Sequence, residues 1–207
     1  MINLDFGFVH WRHINLLNLY MYTSKALTIK QITTGITIEY NTEYVIDHLI
    51  AFLTQNHIDF KHHKNILSIN CETSKTMVDY QKEYKHILPY DTVLNVFLTL
   101  SMQVNWLHQH NYVIDHLYRK DIIILNNQYV LYVGSHHIEN VEDSEITIQD
   151  NIYTVGVLMI KLLFNKDVVK TKYNPEKVIE PLYYTPLYWT ILRSMDKNPD
   201  NRLLVYI

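Results

Sequence analysis

The sequence predicts an α+β fold in two lobes, a β-rich lobe over residues 1–80 and a mainly helical lobe over residues 81–207. Three observations lead to this prediction. Short runs rich in β-branched and aromatic residues fill the first part of the chain. Apolar residues at helical spacing dominate from Tyr90 onward. With 207 residues, 48% of them apolar, the chain is long enough for one domain with a substantial core.

The first lobe is predicted to hold five strands and one helix. The strands are expected at residues 6–9, 16–22, 26–32, 65–70 and 75–80. The helix begins after Asn41 or Thr42, either of which can act as its N-cap. Its apolar positions are Val45, Ile46, Leu49, Ile50 and Leu53. The join between the lobes is placed at residues 79–84.

The second lobe is predicted to contain three helices and one hairpin. Asp91 can cap a long helix that continues to Leu107, and two more helices are expected at residues 152–164 and 186–197. Two apolar β-branched runs, residues 122–125 and 129–133, flank a short polar turn. This arrangement is typical of a β-hairpin.

Composition excludes several classes of protein. A net charge of −3 gives no electrostatic reason to expect nucleic acid or an anionic membrane as partner. No run of about 18 uncharged apolar residues is present, so a membrane span is not expected, and the first residues do not resemble a signal peptide. The single cysteine, Cys71, cannot form an internal disulfide, which indicates a reducing compartment such as the cytoplasm. Richness in Ile, Asn and Lys is typical of AT-rich genomes, such as those of some large DNA viruses, for which the compartment would be the host cytoplasm.

Three blocks in the second lobe resemble the eukaryotic protein kinase superfamily. Residues 114–117 (Ile-Asp-His-Leu) align with the family's H-R-D-L, Asp121 with its metal-binding Asn, and Gly134 with the Asp of D-F-G. Residues 151–157 are similar to the D-x-W-S-x-G-V helix start, and residues 195–202 to the D-P-x-x-R segment. The resemblance implies a two-lobed kinase-like domain over residues 1–207, with a trimmed activation segment and C-terminus.

Shorter matches lie in the first lobe. Residues 27–30 are similar to V-A-I-K, and residues 77–80 resemble the strand that leads to the hinge. If ATP is still bound, the resemblance implies Lys30, Asp79 and Tyr80 as its contacts. In the family the lysine forms an ion pair with a helix carboxylate, for which Glu43 and Asp47 are both candidates.

The residues that phosphoryl transfer requires are largely replaced. The catalytic Asp position holds His116, the nearby lysine position holds Tyr118, and Gly134 offers no carboxylate to the metal. Asp121 remains as an oxygen ligand suited to Mg²⁺. Only Gly7 is left of the phosphate-covering glycine loop. The resemblance therefore implies a degenerate member, a pseudokinase, with no catalytic residues in the family's sense.

The substrate-docking segment is also shortened. Asn151 follows Gly134 by 17 positions, and no A-P-E motif lies between them. Arg202, which pairs with the Glu of that motif in the family, needs another partner, and Glu142 and Glu145 are the candidates.

Structural interpretations compete with each functional one. His116 is expected to be a hydrogen-bonded loop histidine, Asp121 a turn carboxylate, and Cys71 a small core residue. The pairs at residues 62–63 and 136–137 do not predict zinc, since adjacent histidines on a strand face opposite sides and no C-x-x-C accompanies them. The aromatic segment 182–189 is expected to be core rather than interface.

Three hypotheses of function follow. The first is a pseudokinase without a cofactor that acts as a scaffold or decoy and binds a protein, either an active kinase or a second copy of itself. The second is an atypical ATP-dependent Ser/Thr kinase that uses His116 as base and Asp121 to hold Mg²⁺. The third is an unrelated α+β structural or interaction protein.

Overall fold

The computed structural model describes residues 19–24, 26–41, 45–169 and 174–204. These residues form a mixed α+β structure in which a small sheet-rich region is followed by a helical region. The predicted α+β class is therefore confirmed. The strand predicted at residues 6–9, which includes Gly7, lies outside the described residues, as do the first residues of the strand predicted at 16–22.

The sheet-rich region is one five-stranded sheet with an α-helix packed on it. The elements are β1 Leu19–Thr23, β2 Leu27–Ile32, β3 Gly35–Tyr40, α1 Asp47–Gln55, β4 Phe60–His63 and β5 Ile66–Asn70. Neighbouring strands are antiparallel in the order β1-β2-β3-β5-β4. The strands predicted at residues 26–32 and 65–70 are confirmed, whereas β3 and β4 were not predicted. Alternate residues of β2, β3 and β5 are fully buried against α1, which places the first core between sheet and helix.

The first helix begins later than its predicted cap. Ile46 precedes Asp47 at the start of α1, and no side chain caps this end. The prediction of Asn41 as N-cap is wrong, because its backbone N–H donates to the carbonyl of Ala26 and so extends the sheet. Thr42, the alternative cap, lies outside the described residues.

The strand predicted at residues 75–80 is wrong beyond its first two residues. A short strand, β6 Ser74–Thr76, passes directly into a helix, α2 Met77–Glu83. The Thr76 hydroxyl caps this helix by accepting a hydrogen bond from the backbone N–H of Asp79. Met77 and Tyr80 are buried in the core of the helical region. Capping and burial at helical spacing therefore outweigh the β-like local composition.

The helical region is built around two long helices. Its elements are α3 Tyr90–Gln109, β7 Tyr112–Ile114, β10 Ile138–Asn140, α4 Ile148–Phe164, α5 Pro175–Ile179 and α6 Pro186–Ser194. The three predicted helices are confirmed as α3, α4 and α6, and α5 is additional. Strands β7 and β10 pair antiparallel. Over the described ranges, no helix combines the length and the apolar character needed to cross a bilayer.

The predicted hairpin is confirmed, and it forms the wall between two cores. It consists of β8 Ile122–Leu125 and β9 Tyr129–Tyr132, with β6 added beside β8. Side chains alternate across it, so that one face joins the sheet core and the other the helical core. The first face carries Ile123, Leu125, Leu131 and Val133, and the second carries Ile122, Ile124, Val130 and Tyr132. The segments that flank the hairpin therefore lie where the two regions meet.

Candidate functional site

Two backbone segments, residues 115–121 and 133–137, come together at one end of the hairpin. The N–H of Val133 donates to the carbonyl of Asp121 at 2.8 Å, and the N–H of Asp115 donates to the carbonyl of His137 at 2.8 Å. These hydrogen bonds fix the backbone on both sides of a cluster of polar side chains. Its members are Asp115, His116, Asp121, His136 and His137.

Gly134 lies against a buried phenol. The Tyr132 hydroxyl is 3.0 Å from the carbonyl of Gly134 and 3.2 Å from that of His116, and donates toward both. A Cβ at position 134 would approach the Tyr132 hydroxyl oxygen to 2.6 Å and its ring carbons to 2.8 Å and 2.9 Å. Burial, together with the charge of Asp121, raises the pKa of Tyr132 well above its usual value, so the hydroxyl stays a donor. Tyr132 therefore occupies the space that a side chain at position 134 would need.

Asp121 ends a 3₁₀ turn and is fully buried. Its carboxylate oxygen Oδ2 lies 3.8 Å from Nε2 of His137. Burial, followed by the neighbouring His136 and His116, lowers the pKa of His137 to about 4, so this imidazole is neutral at pH 7. Burial also lowers the pKa of His136. The imidazoles beside Asp121 are therefore uncharged at pH 7.

His116 is a hydrogen-bonded loop histidine, as predicted. Its Nδ1 is paired with the Asp115 carboxylate, and its ring stacks on that of Tyr118 with centroids 5.2 Å apart and planes at 16°. The side chain is 51% exposed. The carboxylate and the stacked phenol together hold the ring in one orientation.

Two sets of three side chains in this cluster have metal-ligand spacing. Asp121, His136 and His137 form one set, and Asp115, His116 and His137 form the other, with one potential ligand atom per residue within 4.8 Å of the others. The expectation that adjacent histidines face opposite sides is wrong for His136 and His137. They lie in a 3₁₀ turn rather than on a strand, and their ring centroids are 4.0 Å apart. Sequence reasoning missed this set because the turn was not predicted.

The three residues predicted to contact ATP each have another partner. Lys30 lies on β2 and forms an ion pair with Glu39 on β3 at 3.1 Å. Asp79 is in the first turn of α2, where hydrogen bonds from Lys82 and Thr76 lower the pKa of its carboxyl. Tyr80 is buried beside another tyrosine of the same segment, with ring centroids 5.2 Å apart.

The sequence offers two helix carboxylates as candidate partners of Lys30. Asp47 is exposed in the first turn of α1, and Glu43 lies outside the described residues. Glu39, which does pair with Lys30, is on the neighbouring strand, where residues on one face of a sheet are close in space.

The predicted partners of Arg202 are wrong. Its guanidinium Nη1 lies 3.3 Å from Oδ1 of Asp150 and 3.3 Å from the backbone carbonyl of Gln149, not beside Glu142 or Glu145. The guanidinium also lies over the ring of Tyr153, 4.9 Å from its centroid. The chain after α6 returns to the first turn of α4, and this brings the guanidinium of Arg202 to the Asp150 carboxylate.

The prediction of a buried aromatic segment at residues 182–189 is confirmed for some of its residues and wrong for others. Leu187 and Tyr188 are buried, but Tyr183, Tyr184 and Trp189 are 47%, 96% and 45% exposed. Neighbouring rings meet edge to face, with the centroids of Tyr188 and Trp189 5.1 Å apart. Cys71 is only half-buried and packs at the edge of the sheet core.

Chemically, the cluster offers two carboxylates and three imidazoles at the meeting point of the two regions. Such a donor set can bind a divalent cation or hold a polar ligand. No protein-family model matches the chain, and no curated protein matches it.

Proposed function

We propose that the chain is a degenerate protein-kinase-like protein that does not transfer phosphate and acts by binding another protein. The packing of Tyr132 against Gly134 carries this proposal. Phosphoryl transfer needs a divalent cation held against the phosphates by carboxylate ligands. The phenol fills the space from which the family's D-F-G carboxylate would project.

The order of elements supports the kinase-like part of the proposal. A small antiparallel sheet carries one helix, α1, between its third and fourth strands, and is followed by a mainly helical region. Two blocks that carry the sequence resemblance, residues 114–117 and 151–157, are in direct contact. The Asn151 side chain forms hydrogen bonds of 2.7 Å with both the N–H and the carbonyl of Ile114.

The segment expected to form the hinge supports the loss of phosphoryl transfer. Residues 77–80 form the first turn of α2, so their backbone is helical and does not have the extended conformation of a hinge segment that lines a nucleotide. This conformation disfavours an atypical active kinase.

An exposed aromatic surface supports the protein-binding part. Tyr183, Tyr184 and Trp189 are exposed next to each other, and Arg193 lines the same depression. Tyrosine, tryptophan and arginine are the residues that protein interfaces favour and that supply most of their binding energy. We name these four residues the aromatic surface.

Phosphotransfer assays test the first part. The purified chain is incubated with radiolabelled ATP, Mg²⁺ or Mn²⁺, and general Ser/Thr substrates, and Asp121→Ala, which has no oxygen ligand at this position, serves as the matched variant. We expect no transfer above that of the variant. Transfer that is present in the native chain and lost in Asp121→Ala would show an active kinase and refute the proposal.

Sedimentation measurements test the second part with a second copy of the chain as the partner. We expect association that rises with concentration and is lost in the double variant Tyr184→Ser, Trp189→Ser. Leu98→Ser is the control, because Leu98 is also exposed but lies on α3. Association that the double variant leaves unchanged would exclude the aromatic surface as this interface, and a strictly monomeric chain would exclude self-association.

A further inference from the structure

The set Asp121, His136 and His137 differs from a magnesium site in its donor atoms. Mg²⁺ prefers oxygen ligands, whereas this set offers one carboxylate and two imidazoles. Imidazole nitrogen with one carboxylate is a donor set for Zn²⁺ and for neighbouring transition metals. We propose that these three residues bind a single transition-metal dication of the Zn²⁺ class.

The distances suit a metal of this size. In a tetrahedral site, ligands about 2.1 Å from a zinc ion lie about 3.4 Å apart. Oδ2 of Asp121 and Nε2 of His137 are 3.8 Å apart, which is about 0.4 Å more than this separation. One ligand atom of each residue in the set lies within 4.8 Å of the others, so side-chain rotations that bring them closer complete the site. Three protein ligands leave a fourth tetrahedral position for water or for a ligand.

Burial of the potential ligand atoms favours the binding of a cation. Asp121 is fully buried, and a carboxylate taken out of water is stabilised by a charge of opposite sign. Within the described part of the chain, Nε2 of His137 is buried and makes no hydrogen bond. A neutral imidazole with an unshared electron pair is the form in which histidine binds a metal.

The surrounding backbone holds the ligands in place. The carbonyl of Asp121 accepts from Val133 N–H, the N–H of His137 donates to the carbonyl of Gly134, and its own carbonyl accepts from Asp115. All three hydrogen bonds are 2.8 Å long. Asp115 and His116 each have a ligand atom within 4.8 Å of one on His137, so they are close enough to orient it or the water at the fourth position.

The chain supplies its own matched control. His62 and His63 are also adjacent histidines, but they are exposed on β4. Among the described residues, neither belongs to a group of three potential ligands with metal spacing. The control variant His62→Gln, His63→Gln therefore removes two adjacent imidazoles, as His136→Gln, His137→Gln does, but leaves the proposed site unchanged.

Competition with a chromophoric chelator measures Zn²⁺ binding by the full chain in the absence of nucleotide. We expect one Zn²⁺ per chain, and binding at least about 100-fold weaker in His136→Gln, His137→Gln and in Asp121→Asn. The control double variant should bind as the native chain does. Co²⁺ should give the visible absorption of a four-coordinate site with nitrogen and oxygen ligands, and excess Mg²⁺ should not displace it.

Two results would overturn the proposal. One is equal loss of Zn²⁺ in both double variants, which would show nonspecific binding by histidine. The other is native affinity in His136→Gln, His137→Gln, provided that circular dichroism shows each variant to be folded. If the other variants do not fold, the single variant His136→Gln still tests the site, because His136 is partly exposed and its replacement should leave the chain folded. Metal binding is measured here without phosphotransfer, so its failure and that of the proposed function are distinguishable.

Discussion

The side chain of Asn151 binds the backbone of Ile114 with two hydrogen bonds. Its Oδ1 accepts from the Ile114 N–H and its Nδ2 donates to the Ile114 carbonyl, both at 2.7 Å. Asn151 is buried in the first turns of α4, and Ile114 ends β7 just before the candidate site. The amide therefore completes the hydrogen bonding of a strand end with a side chain, and ties α4 to the segment that carries Asp115 and His116.

Asn151→Ala should destabilise the fold by about 2–4 kcal/mol, because it leaves the N–H and the carbonyl of Ile114 buried without partners. Asn151→Asp should also destabilise it, since a carboxylate cannot donate to that carbonyl. Urea unfolding followed by circular dichroism measures both. Asn105→Ala, at an exposed position of α3, is the control and should unfold at the native midpoint or above. A native midpoint for Asn151→Ala would contradict the role given to this amide.

Gly134→Ala should destabilise the fold by about 1–3 kcal/mol, because the added Cβ would approach the buried Tyr132 ring and hydroxyl. Gly134→Asp, which restores the residue type of D-F-G, should be worse and should not create phosphotransfer. The double variant Gly134→Ala, Tyr132→Phe should lose less stability than the two single changes added together, since the nearest clashing atom is gone. Strict additivity in urea unfolding would show that this contact does not limit position 134.

Elements with a strong pattern could be predicted, and those that depend on context could not. The hairpin at residues 122–133 was found because both of its faces are apolar, as burial between two cores demands. The strand at residues 75–80 was wrong because Thr76 and Asp79 form a helix start that the local β propensity conceals. Strand β4 carries mostly exposed residues and has little apolar alternation, so its pairing with β5 gives no pattern to detect.

The candidate site was found only in part. Asp121 was singled out by its position in the kinase-like block, and His116 was correctly expected to be a hydrogen-bonded loop residue. The contribution of His136 and His137 depends on a 3₁₀ turn that brings both rings to one side. The role of Tyr132 depends on the contact of its side chain with Gly134, two residues further along the chain. Neither geometry can be derived from residue type and spacing alone.

Gly156→Ala should destabilise the fold although alanine favours helices by about 1 kcal/mol over glycine. A Cβ there would lie 2.2 Å from Ser194 Oγ and 2.7 Å from Met195 Cγ, where α4 packs against the end of α6. We expect a net loss of about 1–2 kcal/mol in urea unfolding. Adding Ser194→Ala removes the nearest atom and should recover part of that loss. A stabilised single variant would mean that the two helices separate without cost.

Acid should destabilise the fold through His48. This residue is fully buried on α1, its Nε2 donates to the carbonyl of Tyr132 at 3.1 Å, and burial lowers its pKa from 6.5 to about 4. Among the described residues its Nδ1 has no hydrogen-bond partner, so a second proton there would find no acceptor. Between these two pKa values the unfolded chain binds a proton that the folded chain does not. Stability is therefore full above pH 6.5 and falls as the pH drops toward 4.

The free energy of unfolding should fall by on the order of 3 kcal/mol across this window from His48 alone. The lowered pKa of His137 acts with the same sign. Urea unfolding at several pH values measures the slope. His48→Gln keeps a donor for the Tyr132 carbonyl but cannot be protonated, so its slope should be shallower than that of the native chain. His63→Gln, at an exposed position of β4, is the control and should keep the native slope. An equal slope in His48→Gln and the native chain would show that His48 is not the group that acid protonates on unfolding.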